Sequence, residues 1–136
     1  MIRIVLDTSV LVSAVISPAG PNAQVFDLIT AGQIRPYLTD ALLEEYARVF
    51  EYERLRRLDR RRAARLRGLL ERAGVKVRSG GRLRISLHDE DNRIYECAVA
   101  ARADFIVTEN TRHFPKPHKT TKIVTARALL KLRTPH

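Results

Sequence analysis

Ile2-Arg3-Ile4-Val5-Leu6-Asp7-Thr8-Ser9 is an apolar run broken once, by Arg3, and closed by three residues whose side-chain oxygens favour turns and helix caps. It reads as a buried strand that ends at an acid and passes through a short loop into a helix over 10–16. Ser17-Pro18-Ala19-Gly20-Pro21 then breaks the chain. A strand that stops at a carboxylate just before a helix is the local pattern from which the remaining sequence is best read.

Downstream the same alternation recurs. Asn22 is placed to cap a second helix over 22–31, with Val25, Phe26 and Ile29 on one face and Gly32 as its stop. Ile34–Leu38 follows as a strand, and Pro36 suggests an edge position or a strand start because it donates no ladder hydrogen bond. Thr39 or Asp40 caps a third helix lined by Leu42, Tyr46 and Val49, broadened by Leu43 and Phe50. An arginine-dominated helix over 54–73 carries Leu55, Leu58, Leu66, Leu69 and Leu70, and ends at Gly74. Residues 75–77 form a short strand, Ser79-Gly80-Gly81 a turn, and 82–87 shows weak alternation. His88-Asp89-Glu90-Asp91 opens a helix to about residue 103, and 105–107 is a buried strand ending at Thr108. A loop with Pro115 and Pro117, a strand at Ile123 and Val124, and a helix from Thr125 complete the chain. Strands separated by helices call for a parallel sheet covered on both faces, so the expectation is one α/β domain over 1–136 without repeat or linker.

The 136 residues suffice for a packed core. One cysteine, Cys97, has no internal partner, and no Cys/His spacing matches a structural zinc site. No segment resembles a signal peptide or a membrane span, so the expected setting is the cytoplasm. A formal charge of +10 favours polyanionic partners.

In open parallel α/β sheets, ligands collect beyond the carboxyl ends of strands. Asp7 directly follows the first strand. Asp91 lies three residues before Ile94, at the top of the buried stripe Ile94, Ala98, Ala101. Glu44, early in the helix after the second strand, points to the same edge, with Glu45 an adjacent competitor. Carboxylates crowded in a partly dry cleft must take up protons or bind a cation. All-oxygen ligation suits magnesium or manganese, and the implied chemistry is phosphodiester hydrolysis. The competing structural roles are a turn cap for Asp7, a solvated helix face for Glu44, and complementing the positive helix end for Asp89, Glu90 and Asp91.

Three runs, Ile4-Val5-Leu6-Asp7-Thr8-Ser9-Val10-Leu11-Val12-Ser13, Asp89-Glu90-Asp91-Asn92-Arg93-Ile94-Tyr95-Glu96-Cys97-Ala98 and Asp104-Phe105-Ile106-Val107-Thr108-Glu109-Asn110, resemble successive motifs of the PIN-domain family, as does Leu38-Thr39-Asp40 through Glu44. Within the family the chain is most similar to the toxin components of VapC-like toxin–antitoxin pairs. The resemblance implies a three-layer α/β/α Rossmann-like fold with a central parallel sheet, and a Mg2+- or Mn2+-dependent ribonuclease. It further implies an RNA substrate, a cognate antitoxin protein and a homodimer. It matches Asp7, Glu44 and Asp91 to the metal-binding, catalytic acids, with Thr8, Ser9, Asp89, Thr108 and Asn110 in the surrounding shell. Asn110 stands where many members carry a fourth aspartate. That substitution keeps an oxygen but removes a charge, so one metal position is expected to be firmer than a second, unless Glu109 compensates.

Arg112, Lys116 and Lys119, with Lys122, are the expected contacts for substrate phosphates. The arginines over 54–67 fit either an RNA backbone or a protein surface. His88 and His113 receive no role, and the scarcity of aromatics argues against recognition dominated by base stacking. The alternatives are a catalytically weak nucleic-acid-binding or protein-interaction module and an aspartyl-phosphate enzyme built on Asp7. The latter is disfavoured because Ser9 occupies the place where a second acid is usual. A DNA substrate is chemically similar.

Overall fold

The structure, a computed structural model, describes residues 1–52, 55, 58–80, 88–114 and 119–133. The strands are β1 (Ile2–Leu6), β2 (Ile34–Leu38), β3 (Val75–Lys76), β4 (Phe105–Val107) and β5 (Lys122–Val124). The helices are α1 (Thr8–Ile16), α2 (Pro21–Thr30), α3 (Asp40–Arg48), α4 (Arg60–Ala73), α5 (Asp89–Ala101) and α6 (Ala126–Arg133). The five strands form one parallel sheet in the order β3-β2-β1-β4-β5. Helix α5 packs on β1, β2 and β4 with α3 beside it, while α2 and α4 pack on β2 and group with α1 and α6. This is the three-layer α/β/α arrangement expected from the sequence. Among the described residues no helix is long and apolar enough to cross a membrane.

The central strand shows why. Ile4, Val5 and Leu6 are all buried, as they must be where helices cover both sides of a sheet. The core continues through Val10, Leu11, Phe26, Leu42, Ile94, Tyr95, Ile106 and Leu129.

Three sequence expectations need correction. β2 is not an edge strand; it lies between β1 and β3. The Leu38 carbonyl accepts from Val77 N on the β3 side, so by the two-residue period Pro36 also faces β3. There β3 pairs only from Val75 opposite Tyr37, and the missing N–H falls at the start of the ladder. The arginine-rich helix starts at Arg60 rather than 54, because Asp59 caps it by accepting from Arg62 N at 3.0 Å. Ahead of it, Leu55 and Leu58 sit in short turns, donating to the carbonyls of Tyr52 and Leu55. Asn22 is not a cap: Gly20 occupies that position with Pro21 opening α2, and Asn22 is buried within the first turn. The alternation expected over 82–87, and Pro115 and Pro117, lie outside the described residues.

Candidate functional site

Chain order reverses direction across the sheet between β1 and β4, which opens a crevice beyond their carboxyl ends. Asp7 and Thr108 stand on its two sides. Asp7 N donates to the Val107 carbonyl at 2.9 Å, extending the pairing by one residue into the crevice. Both Ser9 Oγ and Thr108 Oγ1 donate to Asp7 Oδ2, at 2.7 and 2.8 Å. Each hydroxyl in turn accepts a backbone N–H, Ser9 from Glu109 at 3.0 Å and Thr108 from Asn110 at 3.1 Å. The two protons are thus aimed at one carboxylate oxygen. Among the described residues none donates to Oδ1, which is left to the crevice. Asp7 precedes α1 but makes no side-chain cap, so its carboxylate is not occupied as a turn residue.

Helix α3 brings the second acid. Tyr46, fully enclosed in the core, donates its hydroxyl to the Leu6 carbonyl at 2.6 Å, tying α3 to the residue before Asp7. The buried face of this helix is Leu42 and Tyr46, continued by Val49 just past its end. Glu45, three residues after Leu42 and four before Val49, flanks that face; Glu44, two residues after Leu42, points away and is exposed. Glu45, not Glu44, therefore lines the crevice. Its carboxyl is raised above the ordinary value of 4.5 chiefly by burial, with the negative charges of Glu90 and Asp7 adding and Arg48 opposing. Arg48 Nη1 donates to its Oε2 at 3.0 Å.

Helix α5 contributes Glu90 and Asp91 from its first turn. Asp91 is 6% exposed and sits above Ile94, as the stripe argument requires. The resulting cleft, about 520 Å³, gathers Asp7, Thr8, Ser9, Glu45, Glu90, Asp91, Asn110 and His113, with Val12, Val49, Tyr52 and Leu55 as an apolar rim. His113 lies with its ring centroid 6.0 Å from that of His88.

Other expected residues fall elsewhere. Thr108 is fully buried behind Asp7 and does not face the cleft. Arg112 and Lys119 are exposed and outside the lining. Lys116 and the side chain of Asp89 lie outside the described residues. Glu109 does not stand in for the missing aspartate: its Oε1 accepts from the amide of the buried Asn22, and it is not part of the cleft wall. Sequence reasoning missed Glu90 and His113 as cleft residues. The signal for Glu45 was available in its phase relative to Leu42 and Val49.

Among the described residues no three His, Cys, Asp or Glu groups form a ready metal cluster. The acidic donors still fit a hard divalent ion. They supply oxygen atoms, one carboxylate is aimed by two hydroxyls, and another is held off its ordinary ionisation chiefly by burial and further by its anionic neighbours Glu90 and Asp7, a cost that a cation beside it relieves. Magnesium keeps several waters and engages few protein oxygens directly, so wider spacing suits it. Asn110 Oδ1 accepts from Arg112 N at 3.2 Å and retains a second lone pair.

No curated protein matches the chain in sequence comparison. The PIN-domain family model matches residues 3–112, a span that contains β2, β3 and β4, all of β1 but its first residue, and every residue of the cleft except His113. Domains of this kind are usually nucleases and generally use divalent metals. With Asp7, Glu45 and Asp91 around one crevice at the switch point of a parallel sheet, and that match over most of its length, the chain belongs to the PIN-domain family.

Proposed function

We propose that the chain is a magnesium- or manganese-dependent endoribonuclease, the toxin component of a toxin–antitoxin pair. The observation that carries the nuclease reading is the meeting of Asp7, Glu45, Glu90 and Asp91 in one cleft on a chain whose net charge is +10. A negative pocket on a positive molecule suits a cation in the pocket and a polyanion around it. When bound, the ion would polarise the phosphoryl group and neutralise charge building on the leaving oxygen. Asp7, Glu45 and Asp91 would hold it. Ser9 and Thr108 fix the orientation of Asp7, and Arg48 steadies Glu45. Water adds to phosphorus, the bridging P–O bond breaks, and the leaving oxygen takes up a proton.

The ordered motifs that resemble VapC-like toxins support the toxin role, a cognate antitoxin and a homodimer. The proposed setting is the cytoplasm, where Cys97, buried with its thiol pushed up to about 12, stays reduced. The test is cleavage of RNA by the full chain with Mg2+ or Mn2+. Activity should vanish with EDTA and fall about 100-fold or more in Asp7→Asn and Asp91→Asn; undiminished cleavage in both variants rules the assignment out. Parallel DNA substrates decide the sugar preference.

A second reading, a catalytically weak nucleic-acid-binding module, is favoured by Asn110 in place of an acid and by Glu109 turned to Asn22. Salt-sensitive RNA binding without turnover in either ion would select it.

A further inference from the structure

Helix α4 holds six arginines in fourteen residues, and they do different things. Arg62 is structural: its Nε and Nη2 donate to the Ala14 carbonyl at 3.1 and 2.9 Å, locking α4 to the end of α1. Ala14 is the residue after Ser13, which lines the cleft, so the start of α4 is fixed relative to the cleft wall. Leu55, just upstream of α4, lines the cleft itself.

Arg61, Arg65 and Arg72 form a second group. Positions 61, 65, 68 and 72 follow one another by four, three and four residues, a straight row along a helix. The row lies opposite the buried Ala63, Leu66 and Leu70, and all three arginines are exposed. Among the described residues none of them makes an ion pair. The fourth position in the row is Gly68, a poor helix former in mid-helix. A Cβ there would stand 2.9 Å from Arg72 Nη1. The missing side chain lets the Arg72 guanidinium lie back along the row toward Arg65. By the helical rise, the three Cα atoms span about 16 Å.

We propose that this arginine row is the docking rail for the sugar-phosphate backbone of the substrate strand outside the cleft, with Arg61 nearest the cleft and Arg72 farthest. The proposal rests on the ribonuclease reading for the identity of the polymer. Charge complementarity carries it. Three unneutralised guanidinium groups in a line, held to the cleft wall through Arg62, match a chain of regularly spaced monoanions, and such contacts position a strand without reading its bases. It also explains why Arg112 and Lys119 need not line the cleft for the substrate to be held.

The test is binding of a fluorescent single-stranded uridine oligonucleotide, about 20 nucleotides long, in EDTA, so that no catalysis is needed. The affinity is followed against salt for three proteins: the natural chain, Arg61→Gln/Arg65→Gln/Arg72→Gln, and a control with the same charge loss, Arg35→Gln/Arg127→Gln/Lys131→Gln. Three lost phosphate contacts should reduce the slope of log K against log salt by about 2 units. A slope change of that size is about 100-fold in affinity for each tenfold change in salt. The control should keep most of the natural slope, and lysine at the three row positions should restore it.

An unchanged slope in the row variant overturns the proposal, as does an equal loss in the control, which would mean that only net charge matters. A row that governs binding of polyglutamate but not of RNA overturns it in favour of an acidic protein partner. Failure of the nuclease reading shows up separately, as absent cleavage in Mg2+ or Mn2+ whatever the binding slopes.

Discussion

Thr108→Val removes one oxygen and tests whether Asp7 is held as described. Thr108 is fully buried, donates to Asp7 Oδ2 at 2.8 Å and accepts from Asn110 N at 3.1 Å. Valine has nearly the same shape, so packing is kept and only polar interactions are lost. A hydrogen bond to a charged acceptor contributes about 1.5–3 kcal/mol, and an orphaned N–H costs about 1–3 kcal/mol. Asn110 is exposed and water can serve part of its N–H, while the two bonds share one oxygen and do not add in full. The net loss should be about 2–4 kcal/mol. Thr108→Ser keeps the hydroxyl and loses one buried methyl, for about 1 kcal/mol. Urea denaturation of both variants gives the comparison directly, and a Mn2+ titration should show weaker binding in the valine variant alone. Hydrophobicity by itself predicts the opposite order. If the valine protein is as stable as the serine protein or more so, Asp7 is not held through Thr108.

Three further outcomes follow from the same geometry. Glu45→Gln should weaken divalent binding and cleavage about 10- to 100-fold while Glu44→Gln leaves both within twofold, as read by metal titration and RNA cleavage; equal effects would contradict the helix phase. Unfolded, Glu45 ionises near 4.5, whereas in the fold it keeps its proton to higher pH. Its contribution to stability is therefore complete below about 4.5 and is lost as pH rises through the folded titration, so denaturation in EDTA across that range should show a fall that Glu45→Gln flattens. Asn110→Asp retains an oxygen to cap Arg112 N and adds a charge to the cleft, so Mn2+ should bind about tenfold tighter without loss of fold, measured by calorimetry.

The sequence revealed those parts of the molecule that burial makes one-sided. β1 and β4 were legible because strands enclosed on both faces are apolar almost throughout, Arg3 being the one polar position, and Asp7 and Asp91 because one directly follows such a strand and the other tops the buried stripe of α5. Pro36 misled because its effect depends on where β3 begins, which no local pattern records. Glu44 and Glu45 differ only in phase about α3, and the surroundings of Glu45 come from distant chain: Asp7 just after β1 and Glu90 on α5. The capping role given to Asn22 was lost to Gly20 and Pro21, and its partner, Glu109, lies 87 residues away. Long-range pairings of polar groups leave no periodic trace, and most of the cleft is made of them.

The Tyr46–Leu6 hydrogen bond bears on what happens before any ion arrives. It sits in the dry interior, out of reach of whatever occupies the cleft, yet it sets how far α3 stands from the end of β1. The spacing between two of the acids is thus determined by core packing rather than by a bound cation. Such a scaffold should keep its acids apart at fixed separation when empty, so that an incoming ion meets a prepared socket and has little chain to order.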